Sequence, residues 1–450
     1  MNLTYNVEDK VKFSKNIVYA IQQLLAIIAA TLLVPTLVNS IYGEQILNQG
    51  AALFGAGVGT LVYIAFTKKK SPVFLGSAFA FITPIASACV FGYCGIILGA
   101  IIAGLVYVII ALVIHFVGSS WVEKLMPKII IGPTVALIGL SLCTSAISNL
   151  SVTNNSGDYN LIAIFCGLVA FIVTCLASVK GNKTMKAIPF IIGIGAGYVI
   201  ASIFTAIGDA ANIDYLKVID FTPLVENFKN ISFTSFFDIP HFTVVGAIEE
   251  GFSKVGGWSG VGQVAVLYAP VAFVVFAEHI ADHKNLSSVI GRDLISNPGL
   301  EKTLLGDGVG SMVGAVFGGC PNTTYGECIG CIAITGDASV GTVMLTSVLC
   351  MVLAFFTPFI AFVNTIPTCV VGGICIALYG FIAVSGLKMI QDVDLADNKN
   401  LFVVASILVT GIGGLTLNFG KITFTSIATA LIIGIIVNVI LSAGKKKQAK

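Results

Sequence analysis

The feature that most constrains this chain is a series of fourteen long apolar runs, most of which approach the ~20 residues that cross a hydrocarbon core of about 30 Å. Charged residues make up only 10% of the 450 residues, whereas a soluble domain carries roughly 25%. Such a chain cannot cover a soluble surface. The sequence therefore predicts an all-α polytopic membrane protein, and it excludes a soluble enzyme, a nucleic-acid binder, a disulfide scaffold and a disordered chain.

Two of the fourteen segments differ from the rest, and both begin at a proline. Segment 72–90 opens at Pro72, and segment 320–335, which opens near Pro321, is short and polar. They are the third and the tenth segments, so each is the third in a set of seven, and two sets of seven must lie in opposite orientations. Paired, interrupted segments at matching positions indicate the binding site of a transporter. The fourteen segments lie near residues 17–38, 48–66, 72–90, 93–117, 129–148, 160–179, 187–207, 261–281, 303–319, 320–335, 339–365, 366–388, 400–418 and 423–443.

The basic residues predict the orientation in the membrane. If the N-terminus is cytoplasmic and the loops alternate, 20 of the 24 Lys and Arg residues lie inside, and only Lys217, Lys229, Lys254 and Lys421 lie outside. This asymmetry is what the positive-inside rule predicts for a multi-pass protein of the cell membrane with both termini in the cytoplasm. The mildly acidic loop 208–260 is then extracytoplasmic, and we expect a short amphipathic helix in it.

Three acidic residues, Glu278, Asp282 and Glu327, are assigned to apolar segments, where an ionisable side chain indicates a functional site. Asp282 follows Glu278 by four residues, so both carboxylates share one helix face. Two acids in apolar surroundings suit proton uptake and release. The alternative is that the eighth segment ends here, because His279 and His283 follow closely.

The tenth segment predicts a half-helix that begins near Glu327. If the chain before it is extended, the free N–H groups of the first helical turn can donate to a carbonyl oxygen or an anion. Phe79 opens the matching half-helix of the third segment. No Lys or Arg lies deep in any segment. Carboxylate acceptors, backbone donors and an aromatic ring suit a flat, neutral molecule with N–H and C=O groups, such as a nucleobase.

Other motifs carry less information. The pair Cys328-x-x-Cys331 has no second pair, so we predict neither a metal site nor another cofactor. The clusters Gly55-x-Gly57-x-Gly59 and Gly193-x-Gly195-x-Gly197 lie inside apolar segments and favour close helix packing over nucleotide binding.

Several of these motifs together resemble one known family. PNTTYGE at 321–327, followed by Gly330 and Ala333-Ile334-Thr335, is specific to it. In this motif the chain resembles the nucleobase–ascorbate transporter family (nucleobase:cation symporter family 2), in its bacterial uracil permease type. The resemblance extends over essentially the whole chain through QQLLAIIAATLLVP at 22–35, LGSAFAFITP at 75–84, AEH at 277–279 and IPTCVVGGICIALYG at 366–380.

The resemblance implies a 7+7 inverted repeat divided into a core domain and a gate domain, with a short strand plus a half-helix in segments three and ten. It also implies proton symport by alternating access and a homodimer formed through the gate domains, with no enzymatic activity. The implied boundaries are the cytoplasmic tail 1–16, core 17–117, gate 118–207, loop 208–260, core 261–365, gate 366–443 and cytoplasmic tail 444–450.

The resemblance also implies the roles of six site residues, and the pair of carboxylates on one helix face adds a seventh, Asp282. Glu278 and Glu327 would bind the polar edge of the base, and Glu278 with Asp282 would carry the coupling proton. The substrate-binding residues are Phe79 and Gly326 through their backbones, Tyr325 lining the site, Tyr379 facing it from the gate, Glu278 and Glu327.

Departures from the family pattern leave the substrate open. Asp282 stands at a position where the uracil form often has His, and Cys328 stands at a position where Asn is usual. Gln22-Gln23 replaces the Gln-His pair that is frequent in the first segment. Cys375 stands where the uracil form can have Ser. Glu327 favours a pyrimidine, since purine transporters tend to carry Gln there. Uracil is the first prediction, with xanthine or another purine as the alternative, and an anion transporter of the same fold after it. A channel would need a continuous polar stripe, and a membrane enzyme would need a nucleophile or metal cluster.

Overall fold

The computed structural model describes residues 3–118, 120–153, 159–419 and 422–443, and these are mostly helical. The predicted tail 444–450 and Lys421 lie outside the described residues. The first ten helices are α1 (Phe13–Tyr42), α2 (Gln49–Phe66), α3 (Ile82–Ala88), α4 (Gly92–Val117), α5 (Ser120–Leu125), α6 (Lys128–Ser141), α7 (Cys143–Leu150), α8 (Leu161–Lys180), α9 (Lys183–Ala187) and α10 (Pro189–Ala211).

The second part of the chain repeats this helical character. Its helices are α11 (Thr222–Lys229), α12 (Thr243–Glu250), α13 (Gly257–Ile290), α14 (Leu300–Gly318), α15 (Gly326–Thr335), α16 (Val340–Ala354), α17 (Thr357–Asn364), α18 (Thr368–Met389), α19 (Asn398–Ile412) and α20 (Ser426–Ala443). The four short strands are β1 (Leu75–Ser77), β2 (Asn322–Thr324), β3 (Leu417–Phe419) and β4 (Ile422–Phe424).

Eight helical stretches of the described residues are long and apolar enough to cross a membrane. Of the remaining predicted segments, 303–319 is the 19-residue helix α14, and the others are shorter or interrupted helices. The predicted segment 339–365 is not one continuous helix: it breaks between α16 and α17, because Pro358 lies in the first turn of α17 and cannot continue a preceding helix. Loop 208–260 contains two short helices, α11 and α12, where one was expected.

The eighth segment is longer than predicted. Helix α13 has 34 residues and ends at Ile290, where Gly291 adopts the left-handed conformation with φ 68°. Glu278 and Asp282 therefore lie within the helix, with two further turns after them, so the alternative that the helix ends beside them is wrong. The polar residues that suggested an end, such as His279 and His283, are fully buried against neighbouring helices.

Glycine allows two helices to approach each other closely. Helix α2 packs against α14, with Gly55 facing Gly314 and Gly59 facing Gly310. A Cβ atom added to Gly55 would lie 2.3 Å from the carbonyl oxygen of Gly314, so no larger residue fits there. This confirms the prediction that the Gly55–Gly59 cluster serves helix packing.

The helices form two sets that pack mainly among themselves. In the first set, α2 contacts α14 and α16, α4 contacts α13 and α14, and α1 contacts α16 and α3. In the second set, α18 contacts α6, α7 and α8, α8 contacts α10, and α19 contacts α20. Contacts between the sets are fewer and include α13 with α6 and α15 with α9.

The bundle has two ends, which we call the loop face and the tail face. The loop face carries residues 208–256 and the α1–α2 connection; the tail face carries the N-terminal segment Leu3–Lys12. That segment lies along the end of α15: the Thr4 N–H donates to the Gly336 carbonyl at 2.8 Å, and the Val340 N–H donates to the Val7 carbonyl at 3.1 Å. A hydrogen bond from Arg292 lowers the pKa of the Glu8 carboxyl, which ties the segment to the end of α13.

Candidate functional site

The site is organised by a strand pair formed by distant parts of the chain. Strands β1 and β2 pair antiparallel, with Leu75 opposite Thr324 and Ser77 opposite Asn322. A helical turn begins at Phe79 and leads into α3, and α15 begins at Gly326. This confirms the predicted strand plus half-helix in both segments. The two helices leave opposite ends of the strand pair, so their N-termini face each other across a strand length of about 10 Å. The backbone N–H groups of their first turns are therefore available to a ligand.

Tyr325 holds this arrangement in place. Its hydroxyl donates to the Ser77 carbonyl at 3.0 Å, and its side chain is 3% exposed. Its ring lies directly over Gly76, where an added Cβ would be 2.2 Å from the Tyr325 Cζ atom. Tyr325 is thus buried against β1, and Gly76 provides the space for its ring.

We expect Gly76→Ala to destabilise the protein, because the new methyl group and the Tyr325 ring cannot occupy the same space. Overpacking of this kind costs about 1–3 kcal/mol. The melting temperature of the purified protein should fall. The matched control is Gly262→Ala in α13, where nothing lies within 4 Å of the added Cβ. Equal melting temperatures for the two variants would contradict the placement of Tyr325.

Three carboxylates converge beside the N-terminus of α15. The Thr324 hydroxyl donates to the Asp282 carboxylate at 2.7 Å, and a Cβ added to Gly326 would lie 4.0 Å from the other Asp282 oxygen. Glu278 lies one turn earlier on α13, and Glu327 lies in the first turn of α15. The last two are half-buried, and no other described residue is hydrogen-bonded to either side chain. Their oxygens are free to accept hydrogen bonds from a ligand.

A fourth acid, Asp307, was missed by the sequence analysis. It lies in α14, fully buried, with one oxygen 2.7 Å from His279 Nδ1. The other nitrogen of His279 lies 3.0 Å from the Thr303 hydroxyl. The second Asp307 oxygen has no partner among the described residues. The signal that could have found it is the one used for the other three acids: a lone carboxylate within an apolar segment.

The chain of polar contacts continues from His279 towards α2. His283 Nδ1 donates to the His279 carbonyl at 2.8 Å, and His283 Nε2 lies 2.7 Å from the Tyr63 hydroxyl. The Tyr63 hydroxyl also lies 2.7 Å from the Ser71 hydroxyl. Buried polar groups of this kind are costly unless they are paired. The network therefore fixes the rotation of α13, and with it the direction in which Glu278 and Asp282 point.

An aromatic residue of α18, in the second set of helices, covers one side of the site. The ring of Tyr379 in α18 lies edge-on to the ring of Phe79, with centroids 6.0 Å apart, and both residues are buried. The Tyr379 hydroxyl has no partner among the described residues. On α1, Gln23 donates to the Cys328 sulfur at 2.9 Å, which links that helix to α15.

A cavity of about 1660 Å³ leads towards this site from the loop face. It runs between α1 on one side and α10, α17 and α18 on the other, and ends at Leu24 and Ile374. Leu24 adjoins Gln23, and Ile374 lies five residues before Tyr379, or about 7.5 Å along α18. The predicted site residues do not line the cavity; they lie just beyond its end.

Comparison with known proteins identifies the family. A family model described as "Permease family" matches residues 14–420. The chain belongs to this permease family. The uracil permease of Bacillus caldolyticus is 36% identical over 97% of this chain and 94% of the relative. The uracil permease of Bacillus subtilis (strain 168) is 33% identical over 96% and 93%. The resemblance read from the sequence motifs is thereby confirmed, as is the prediction that the chain is not an enzyme, since the relatives are named permeases.

Solved structures similar to this permease share its fold. The transmembrane domain of a cyanobacterial bicarbonate transporter, BicA, aligns with a TM-score of 0.60 at 14% identity, covering 96% of this chain and all of that one. The structure of SLC26A9 aligns with the same TM-score at 12% identity, over 97% of this chain and 66% of the other. These likenesses concern the fold alone, which is that of a multi-pass membrane transporter.

Proposed function

We propose that this permease imports a nucleobase, uracil first, by proton symport. The observation that carries the proposal is the convergence of Glu278, Asp282 and Glu327 at the free N-terminus of α15. Carboxylates accept hydrogen bonds from ring N–H groups, and the first-turn N–H groups donate to ring carbonyls. The names of the relatives, uracil permeases over nearly their full lengths, support the same substrate.

In the proposed site, Glu327 and Glu278 bind the N–H edge of the base. The backbone N–H groups of Gly326 and Phe79 contact its carbonyl oxygens, and Tyr379 covers it from α18. Tyr325 acts by holding the strand pair. Glu278 carries the coupling proton, with Asp282 as its neighbour on the same helix face.

We further propose fourteen spans in a 7+7 inverted repeat. The first set of helices corresponds to the core, 17–117 and 261–365, and the second to the gate, 118–207 and 366–443. Movement of the core against the gate would expose the site to each side in turn. Both termini would lie in the cytoplasm of a cell-membrane protein, so the loop face is extracytoplasmic, and the gates would join two copies in a homodimer.

Two other substrate classes remain candidates. Asp282, as in purine-transporting members, favours xanthine or another purine. The fold neighbours include a bicarbonate transporter and a protein titled an anion transporter. An anionic substrate is disfavoured because three carboxylates and no basic side chain of the described residues lie at this site.

The proposal is tested by uptake of labelled uracil into proteoliposomes, with xanthine, hypoxanthine, thymine and ascorbate as competitors. We expect uracil to compete best and an inward proton gradient to drive accumulation above equilibrium. Stronger competition by xanthine would assign the protein to the purine carriers. Accumulation that follows a sodium gradient and ignores the proton gradient would contradict proton symport.

A further inference from the structure

The cavity that opens at the loop face carries negative charge but no lysine or arginine among its described lining residues. Among the described residues that line it, Glu44 and Asp220 are acidic, and none is Lys or Arg. Glu44 is exposed at the rim, whereas Asp220 is half-buried and accepts the Thr222 N–H at 2.9 Å. The lining also contains one histidine, His241.

The surroundings of the cavity reinforce this sign. In the described part of the loop face the acids outnumber the lysines, and two of the three lysines are already paired: Lys254 with Glu250 at 2.7 Å, and Lys217 with Asp214 at 2.9 Å. Lys217 and Asp220 also line a neighbouring shallow pocket, where the Lys217 ammonium group lies 2.9 Å from Asp214 and 3.6 Å from Asp209. The acids are Glu44, Asp209, Asp214, Asp220, Glu226, Asp238, Glu249 and Glu250, and the lysines are Lys217, Lys229 and Lys254.

The walls of the cavity strengthen the effect of these charges. They are largely apolar, with Ile28 and Leu32 from α1 on one side and Phe362 from α17 and Val371 from α18 on the other. A cleft with low-dielectric walls and charges of one sign focuses the electric field and changes the local concentration of ions. The concentration of a neutral molecule is not affected, whereas that of an anion is lowered in such a cleft.

We propose that this cavity is an electrostatic filter on the substrate route, which admits neutral nucleobases and excludes their anionic analogues, such as pyrimidines that carry a carboxylate. Glu44 and Asp220 are the residues that set this selectivity. The inference deepens the proposed function and rests on it for the identity of the substrate. The filter itself is a property of the cavity and is measurable without transport.

The test places a thiol in the cavity by Ser40→Cys, which exchanges one small side chain for another of similar size. The background carries Cys143→Ser and Cys175→Ser, because these two native thiols are exposed. Proteoliposomes are treated from outside with a cationic and an anionic methanethiosulfonate reagent, neither of which crosses membranes. We expect the cation to react faster by on the order of tenfold, and 1 M salt to reduce that ratio.

Neutralising the cavity should remove most of this preference. In Glu44→Gln/Asp220→Asn the ratio of cation to anion rates is expected to fall roughly threefold or more. The matched control, Glu226→Gln/Asp238→Asn, removes two exposed acids from the same face that do not line the cavity. The control should leave the ratio nearly unchanged. An equal fall in both double variants, or no fall in either, would overturn the filter, as would a failure of the Ser40→Cys thiol to react with either reagent.

A second readout connects the filter to transport. Inhibition of uracil uptake by uracil-6-carboxylate, relative to inhibition by unlabelled uracil, should strengthen about threefold or more in Glu44→Gln/Asp220→Asn, and not in the control. If the reagent ratio responds as expected while no nucleobase is taken up, the filter stands and the proposed substrate fails. If uracil is transported and the reagent ratio does not respond, the substrate stands and the filter fails.

Discussion

Replacing Glu327 by alanine is expected to weaken uracil binding by roughly tenfold to 150-fold. Glu327 lies in the first turn of α15, half-buried, and no other described residue is hydrogen-bonded to its side chain. A hydrogen bond that involves a charged group contributes about 1.5–3 kcal/mol, and each 1.4 kcal/mol is a factor of ten in affinity. Isothermal titration of the purified protein with uracil measures this change directly.

Three further variants test whether the loss of uracil affinity is specific to the Glu327 carboxylate. Glu327→Gln keeps an acceptor oxygen and adds donors, so it should lose less uracil affinity and bind purines relatively better. Phe79→Leu should be milder than Glu327→Ala, because Phe79 is proposed to act through its backbone. Glu249→Ala removes an exposed carboxylate of the loop face and should bind uracil normally. Unchanged affinity in Glu327→Ala would place the binding site elsewhere.

Replacing Glu278 by glutamine is expected to abolish uphill accumulation of uracil. Glu278 lies inside α13, and no Lys or Arg of the described residues pairs with it. A charged carboxylate that is partly buried among apolar helices without a basic partner is costly, so we expect Glu278 to take up a proton. Glutamine has a similar shape and cannot take up or release a proton.

Measurements of net uptake and of exchange distinguish a loss of proton coupling from a loss of uracil binding in Glu278→Gln. Accumulation driven by a proton gradient should fall to the equilibrium level, while exchange of internal for external uracil should continue at a measurable rate. Asp282→Asn serves as the matched comparison and should weaken coupling less, because the Thr324 hydroxyl already satisfies one of its oxygens. Normal gradient-driven accumulation in Glu278→Gln would exclude Glu278 as the proton carrier.

The features that could be predicted from the sequence are those with local signals. Pro72 and Pro321 mark the starts of the interrupted segments, and the extended chain before Gly326 could be inferred from a run too polar and too short for a membrane helix. Glycines at spacing two along α2 indicated close packing, and the structure places Gly55 and Gly59 against α14.

Features that depend on contacts between residues far apart in the chain could not be predicted from the sequence. The polar residues after Glu278 suggested the end of a helix, but α13 continues because His279 and His283 find partners on α14 and α2. Asp307 was overlooked in a glycine-rich stretch, and its pairing with His279 across 28 residues has no local signature. The acidic cavity likewise combines Glu44 with Asp220, which are far apart in the chain.

The pairing of β1 with β2 also constrains how the protein is made. Ser77 is synthesised 245 residues before its partner Asn322, which at 5–20 residues per second is a delay of about 10–50 s. During that time the backbone groups of β1 have no strand to pair with, and unpaired backbone is not stable in hydrocarbon. The third segment must therefore wait in a hydrated or protein-lined environment, such as the insertion machinery, until the tenth arrives. Assembly of the candidate site therefore finishes late in synthesis, because it needs both halves of the chain.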